Sequence, residues 1–325
     1  VHRLYDDAQS PHTEEGIAAF ARFAAASARH FAGRGILWEM YNEPNITPFW
    51  RPTVNVQDYI RLATATGKAI RAAAPNEAYI GPATSTFDWA FLEECFKGGL
   101  LELWDAVSVH PYRPMPPETV IPDYARLRSM ILRYAPKGKR IPIISGEWGY
   151  SSVWSGMNAD KQGKMLSRQW LTNMACDVPL SIWYDWHDDG PDPKEPEHHF
   201  GTTLYPTHAG RDPIYDPKPA YLAARTLTRE LAGFRFNKRL IVGPATNHVL
   251  LFSKRGEVAI VAWTTLPNVA KVTIPASPGQ FEVVSHIGDR RERLTANKSG
   301  LTKPRTDPPQ VQKPKTPTAG RQTAA

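Results

Sequence analysis

Residues 36–45, ILWEMYNEPN, constrain this chain more than any other stretch. An apolar and aromatic run leads into an Asn–Glu pair stopped by proline. Pro44 has no N–H to give a ladder and pushes Glu43 toward extended dihedrals, so a strand must end there. In a regular strand Asn42 and Glu43 would point to opposite faces; for both to reach one pocket, the strand has to bulge or turn. A second strand end of the same design, IPIISGEWG at 141–149, presents Glu147.

The surrounding pattern supplies a scaffold for two such ends. Helical spacing predicts helices over 13–31, 56–74, 89–96, 124–134, 160–176 and 219–231, and strands over 36–45, 78–85, 103–112, 141–148 and 180–186. Strands apolar on both faces, each followed by a helix, imply parallel pairing with the helices outside. The expected fold is α/β over 1–232: a (β/α)8 TIM-type barrel lacking its first three strands, in which the 36–45 strand is the fourth. A whole barrel takes about 250 residues, so the chain is expected to be incomplete at its N-terminal side. An open five-stranded α/β sheet would give the same alternation. From Phe234 the period changes to two, with strands at 239–242, 249–253, 258–263, 271–274 and 281–286, a small antiparallel, β-sandwich-like domain over 233–294. Pro, Lys and Thr dominate 295–325, which is expected to be a disordered tail.

The net charge of +7 would suggest a nucleic-acid partner if it lay on the folded body, but residues 296–325 hold six Lys/Arg against one Asp. The body is near neutral, so a nucleic-acid partner is not expected. No apolar run has the length of a membrane span. Cys95 and Cys176 both fall in predicted helices and read as two buried thiols.

Two carboxyls at the C-terminal ends of parallel strands converge on one rim of a barrel however far apart they lie in the chain. Glycosidic-bond hydrolysis needs such a pair: one carboxyl protonates the leaving oxygen, the other attacks or stabilises the cation-like carbon. Glu43 and Glu147 fit these parts. Their like charge in a partly dry pocket should raise the pKa of one and leave the other ionised.

WEMYNEPN at 38–45, SVHPY at 108–112, SGEW at 145–148 and the tryptophan-rich strand 180–186 resemble the retaining clan-A glycoside hydrolases. The resemblance is to family 39 and to neighbouring family 5 cellulase-like bacterial enzymes with a C-terminal β-domain. It implies that Glu43 is the acid/base, Asn42 the partner of the sugar 2-hydroxyl and Glu147 the nucleophile. It also implies that His110 and Tyr112 line the site, with the Tyr112 hydroxyl orienting Glu147. The substrate is then a polysaccharide or oligosaccharide, no cofactor is needed, and the setting is secreted or periplasmic. The first three strands of such barrels, which bring an arginine to the nucleophile, have no counterpart here.

Other residues have blander readings. Glu39 shares strand parity deep in the barrel and reads as half of an interior ion pair. Trp183, Tyr184 and Trp186 offer rings of which one should floor the sugar site, Trp186 first because it is nearest the strand end; Trp148 has the parity to pack outward. The loop HDDGPDPKEPEHH at 187–199 matches neither a calcium loop nor a zinc set, and reads as a solvated rim contributing Glu197 to substrate. A non-catalytic saccharide-binding barrel or an inactive fragment is the alternative reading. An unrelated open-sheet enzyme would need a glycine-rich phosphate loop, which no strand–helix junction supplies.

Overall fold

The computed structural model describes residues 3–205, 216–268, 270–274 and 277–296. Helix α1 (Glu14–His30) begins where the Thr13 hydroxyl accepts the Gly16 N–H, and it lays Ile17, Ala21 and Ala28 against the core. There follow β1 (Leu37–Glu39), α2 (Val56–Ala73), β2 (Ala78–Ser85), α3 (Trp89–Lys97), the single turn α4 (Leu100–Leu103) and β3 (Ala106–His110). After them come α5 (Ile121–Tyr134), β4 (Ile143–Trp148), α6 (Ala159–Ala175), β5 (Ser181–Trp183) and α7 (Pro219–Glu230).

The five strands are all parallel, and their spatial order is their chain order, β1 to β5. With right-handed crossovers throughout, a sheet that never reverses its order carries every helix on one face. A doubly wound sheet would reverse at a switch point. This is therefore a parallel half-barrel. Its helix side holds the main core, including Tyr79, Trp104, Val107, Val109, Ile143 and Trp148, all nearly inaccessible. Its inner side has only a small apolar patch, Ile80, Ala106 and Ile144. Beyond that patch, toward the strand ends, the buried groups turn polar: Ser108 and His110.

The strand expected over 36–45 is paired only at Leu37–Glu39, because Tyr41 and Glu43 take left-handed φ of 70° and 44°. The strand expected from 103 starts at Ala106; the apolar run before it winds into α4 after Gly99, whose φ of 81° starts the turn. No described helix is long and apolar enough to cross a membrane. Cys95 is buried and Cys176 half-buried, and both are free thiols.

Past the half-barrel, β6 (Arg235–Leu240), β7 (Asn247–Lys254) and β8 (Glu257–Thr264) form an antiparallel sheet, and β9 (Gly279–Val284) and β10 (Arg291–Ala296) a separate hairpin. Leu250 and Phe252 of β7 pack on Leu171 and Leu227, docking the three-stranded sheet on α6 and α7. The strand expected at 271–274 does not form among the described residues. Instead β10 pairs with β9, and Arg291 bonds Glu282 at 3.0 Å. The expected start of the tail at 295 falls inside β10, and residues 297–325 lie outside the described residues.

Candidate active site

The site is built from a backbone reversal. After β1, the Met40 N–H still reaches the Ile80 carbonyl at 2.9 Å, and the Glu43 N–H reaches Ala83 at 3.0 Å. Between them the chain turns at Tyr41, which with Glu43 is one of two left-handed residues flanking Asn42. Each such non-glycine residue costs about 1–2 kcal/mol. Asn45 offsets part of this: its Oδ1 accepts the Ser85 N–H at 2.9 Å and its Nδ2 donates to the Ser85 carbonyl at 3.1 Å. Pro44 and Asn45 thus pin the strand exit to β2, and the turn the Asn–Glu pair demanded is present.

Three strand ends meet there. His110 closes β3, is 1% exposed, and sets Nδ1 3.1 Å from Glu43 Oε1; Glu43 itself is 8% exposed. Tyr112, two residues on, donates its hydroxyl to Glu147 Oε1 at 2.9 Å. One ligand-capable atom from each of Glu43, His110 and Glu147 lies within 4.8 Å of the others. His110 Nε2 is buried and has no hydrogen-bond partner among the described residues.

The electrostatics follow from this crowding. Burial pushes the Glu147 carboxyl up; His110 and the Tyr112 hydroxyl hold it down, and Glu43 and Glu39 add to the rise. Tyr112 is driven well above the tyrosine range by burial and then by the charge of Glu147, so its hydroxyl stays a donor. The raised carboxyl is thus the expected nucleophile's, whereas like-charge repulsion alone left open which of the pair would carry it.

Glu39 corrects another expectation. It is exposed on the inner face, and no ion pair joins it among the described residues. Its Oε1 and the Ser108 hydroxyl crowd Gly146, where an added Cβ would stand 2.7 Å and 2.3 Å from them. Only glycine lets β4 come this close.

The aromatic residues are sorted differently from the expectation. Trp183 is register partner to Trp148, and parallel partners share a face, so both pack on the helix side. The Trp183 Nε1 donates to the Phe200 carbonyl and its ring stacks on Tyr150 at 6.3 Å; it is a core ring. Trp186 is 57% exposed, edge-on to Tyr221 of α7 at 6.1 Å. The ring of this strand that packs beside Tyr112, the partner of Glu147, is Tyr184, of opposite parity to Trp183. It meets Tyr112 at 6.5 Å and Phe200 at 5.4 Å. Burial and then Asp185, Asp189, Glu197 and Glu147 push its hydroxyl to about 12. The parity of Trp148 was the signal that could have selected it. Asp185 was also missed: burial, with Asp189 next, lifts its carboxyl to about 7.

Asn42 is half-buried, next in the chain to Glu43. Glu197 lies on the exposed rim in the 3-10 turn Pro196–His199. Partial desolvation, then Glu195, Asp189, Glu147 and Glu43, raise its carboxyl, so it senses both central glutamates. In the rest of the 187–199 loop the polar groups serve the loop itself. Asp188 pairs with buried Lys218 at 2.7 Å, His198 Nδ1 accepts the Asp192 N–H, and His199 Nε2 lies 2.7 Å from the Asp192 carbonyl.

Glu43, His110 and Glu147 are also the described residues best able to gather three donor atoms on a cation. All three side chains are already engaged, Glu43 and His110 with each other and Glu147 with Tyr112, an arrangement suited to moving protons.

Residues 28–124 match the family described as glycosyl hydrolases family 39. No curated protein matches the chain. Among solved structures, the chain is similar to a family 39 glycoside hydrolase from the gut symbiont Bacteroides cellulosilyticus WH2. They share 24% identity and a TM-score of 0.69, over 88% of this chain and 61% of that one. It is also similar to a family 39 β-xylosidase from Caulobacter crescentus, at 23% identity and TM-score 0.51 over 77% and 54% of the two chains. A third is a family 5 subfamily 18 protein from Streptomyces cattleya, solved with GlcNAc, at 15% identity and TM-score 0.51 over 69% and 56%. The chain thus spans less than two thirds of the length of these proteins. It carries the fold of the family 39 glycoside hydrolases, and its residues 28–124, which include the Asn42–Glu43 turn, His110 and Tyr112, resemble that family in sequence.

Proposed function

We propose that this protein is a retaining β-glycosidase of polysaccharides or oligosaccharides, with Glu43 as acid/base and Glu147 as nucleophile. The observation that carries the reading is the approach of the two glutamates within 4.8 Å, with Tyr112 donating to Glu147. Retaining pairs stand about 5–5.5 Å apart and inverting pairs about 6.5–9.5 Å, so this spacing favours direct attack over an interposed water. A hydroxyl donor stabilises a carboxylate that only accepts, which suits Glu147 to attack. His110 Nδ1 can give or take a proton, which suits its partner Glu43 to cycle between acid and base.

In the first step Glu147 attacks the anomeric carbon while Glu43 protonates the departing oxygen. In the second, Glu43 takes a proton from water, which displaces Glu147 and restores the original configuration. In this reading Asn42 bonds the sugar 2-hydroxyl, and Tyr184, against Tyr112, offers a ring face to the sugar. Trp186 and Glu197 belong to the outer rim, and export to where polysaccharide lies accords with this activity. The Caulobacter crescentus relative is a β-xylosidase, which makes aryl β-xylosides the first substrates to try.

The test compares Glu147→Ala with Glu43→Gln on aryl β-glycosides of graded leaving-group ability, following the first-formed anomer by NMR. The reading expects no turnover in Glu147→Ala, a first product of β configuration in the parent, and a Glu43→Gln defect that shrinks as the leaving group improves. Turnover surviving in Glu147→Ala, or an α first product, would overturn it.

A further inference from the structure

The C-terminal sheet reaches back to the loop that carries Tyr112. Trp263, on β8, donates its indole N–H to Glu118 Oε1 at 2.6 Å. Glu118 is 8% exposed and accepts two further bonds from Arg168 of α6, both at 2.6 Å. His248 of β7 stacks on the Trp263 ring at 5.0 Å and 8°, fixing the indole. Burial alone would raise the Glu118 carboxyl, but Arg168 and the indole hold it below the usual range, so the carboxylate stays a full acceptor.

Glu118 ends a loop that starts at the site. Between His110 and α5 the chain is cross-braced by Arg113, which is 8% exposed. Its Nε donates to the Pro111 carbonyl at 3.1 Å, and Nη1 to the Thr119 hydroxyl at 3.2 Å. Its Nη2 pairs with Asp123 at 3.0 Å. Thr119 in turn bonds the Pro116 carbonyl, and the Tyr150 hydroxyl holds Met115. Arg113 therefore joins the residue before Tyr112 to the residue after Glu118, and among the described residues the Trp263 indole ties this braced loop to the β-domain while Arg168 ties it to α6. A displacement of Glu118 is carried to Tyr112, whose hydroxyl has its acceptor on another strand.

We infer that Trp263 is a positioning residue of the candidate active site: through Glu118 and the Arg113-braced loop it keeps the Tyr112 hydroxyl on Glu147. The β-domain is then part of the site's support, at a residue that touches no substrate. The inference rests on the proposed role of Glu147 only for its kinetic consequence; the mechanical link stands on the contacts themselves.

The test is Trp263→Phe in the full chain, which keeps the ring and removes the N–H. Amide hydrogen exchange read by mass spectrometry should show peptides within 111–120 exchanging about tenfold faster, while those of β7 and β8 keep their protection. The Glu147 carboxyl, followed by NMR, should titrate higher, as in Tyr112→Phe, and combining the two substitutions should add no further shift. Glu118→Gln, which leaves the indole in place, should loosen the same peptides. Unchanged exchange over 111–120, or acceleration spread evenly through β6 to β8 and α6, would overturn the link. Neither readout needs turnover, so a loosened loop in a protein that cleaves no glycoside would count against the function proposed above and not against this coupling.

Discussion

The Tyr112 hydroxyl donates a 2.9 Å hydrogen bond to Glu147 Oε1, joining the loop after β3 to the penultimate residue of β4. Half-buried and facing that carboxylate, the phenol keeps its proton throughout the working range. Removing it in Tyr112→Phe takes away one of the two influences that lower the Glu147 carboxyl, which must then rise further. The acid limb of kcat/KM is expected to move to higher pH, and kcat to fall about 10–100-fold, the worth of one hydrogen bond to a charged group. A pH–rate profile of the variant beside the parent checks both.

Glu147 is raised in the folded state, so between its unfolded and folded values the folded chain binds more protons. Its contribution to stability is present below the unfolded value and is lost as pH rises through the folded one. Glu147→Gln is therefore expected to melt higher than the parent at about pH 8, by something on the order of 1 kcal/mol. The gain should vanish near about pH 4, where free carboxylates also protonate. Thermal melts at the two pH values decide it.

Asn45 makes two hydrogen bonds to the Ser85 backbone, besides a longer one from Nδ2 to Asp88 at 3.4 Å, and is the clip that holds the left-handed Glu43 turn. Asn45→Ala should cost about 1–3 kcal/mol of stability, measured by urea unfolding, because two backbone groups lose partners at once. It should lower kcat more than it raises KM, since what it loosens is the acid and not the rim.

How much of this was written in the sequence depends on which periodicity carried it. Glu43 and Glu147 were legible because a strand end is a local property, His110 and Tyr112 through the family resemblance of SVHPY, and the structure brings those four side chains together. Alternation gave the five parallel strands but not their order, which an open sheet would have changed and the structure shows to be sequential. The start of the strand expected over 103–112 was misread because a short apolar run fits a strand or a helical turn equally well, and Leu103 closes the turn that Gly99 at positive φ begins. Trp183 was misplaced because strand 180–186 was read without its neighbour; its register with Trp148 turns it to the helix side and turns Tyr184 inward. Strand β10, Arg-Glu-Arg-Leu-Thr-Ala, has no hydrophobic alternation, since its side chains are mostly exposed and its pairing is backbone plus an Arg291–Glu282 bridge. The Trp263–Glu118 contact spans 145 positions in the chain, and no local signal announces it.

Lys218 and Asp188 form a buried pair at 2.7 Å, with side chains 4% and 5% exposed. Lys218→Met leaves Asp188 buried with only His199, at 3.9 Å, as a partner, and should destabilise the protein by about 3–5 kcal/mol. Adding Asp188→Leu should recover much of the loss, since two apolar side chains there need no partner. Denaturant midpoints of the two single variants and the double close the cycle.

The pairing of Glu43 with Glu147 across one pocket is tested most directly by intact-mass and peptide analysis of Glu43→Gln after reaction with an aryl glycoside bearing a good leaving group. With the acid/base disabled, the first step still proceeds and the second stalls, so one glycosyl unit should accumulate on the peptide containing Glu147. An adduct on any other side chain, or rapid turnover with Glu147 unmodified, would contradict it.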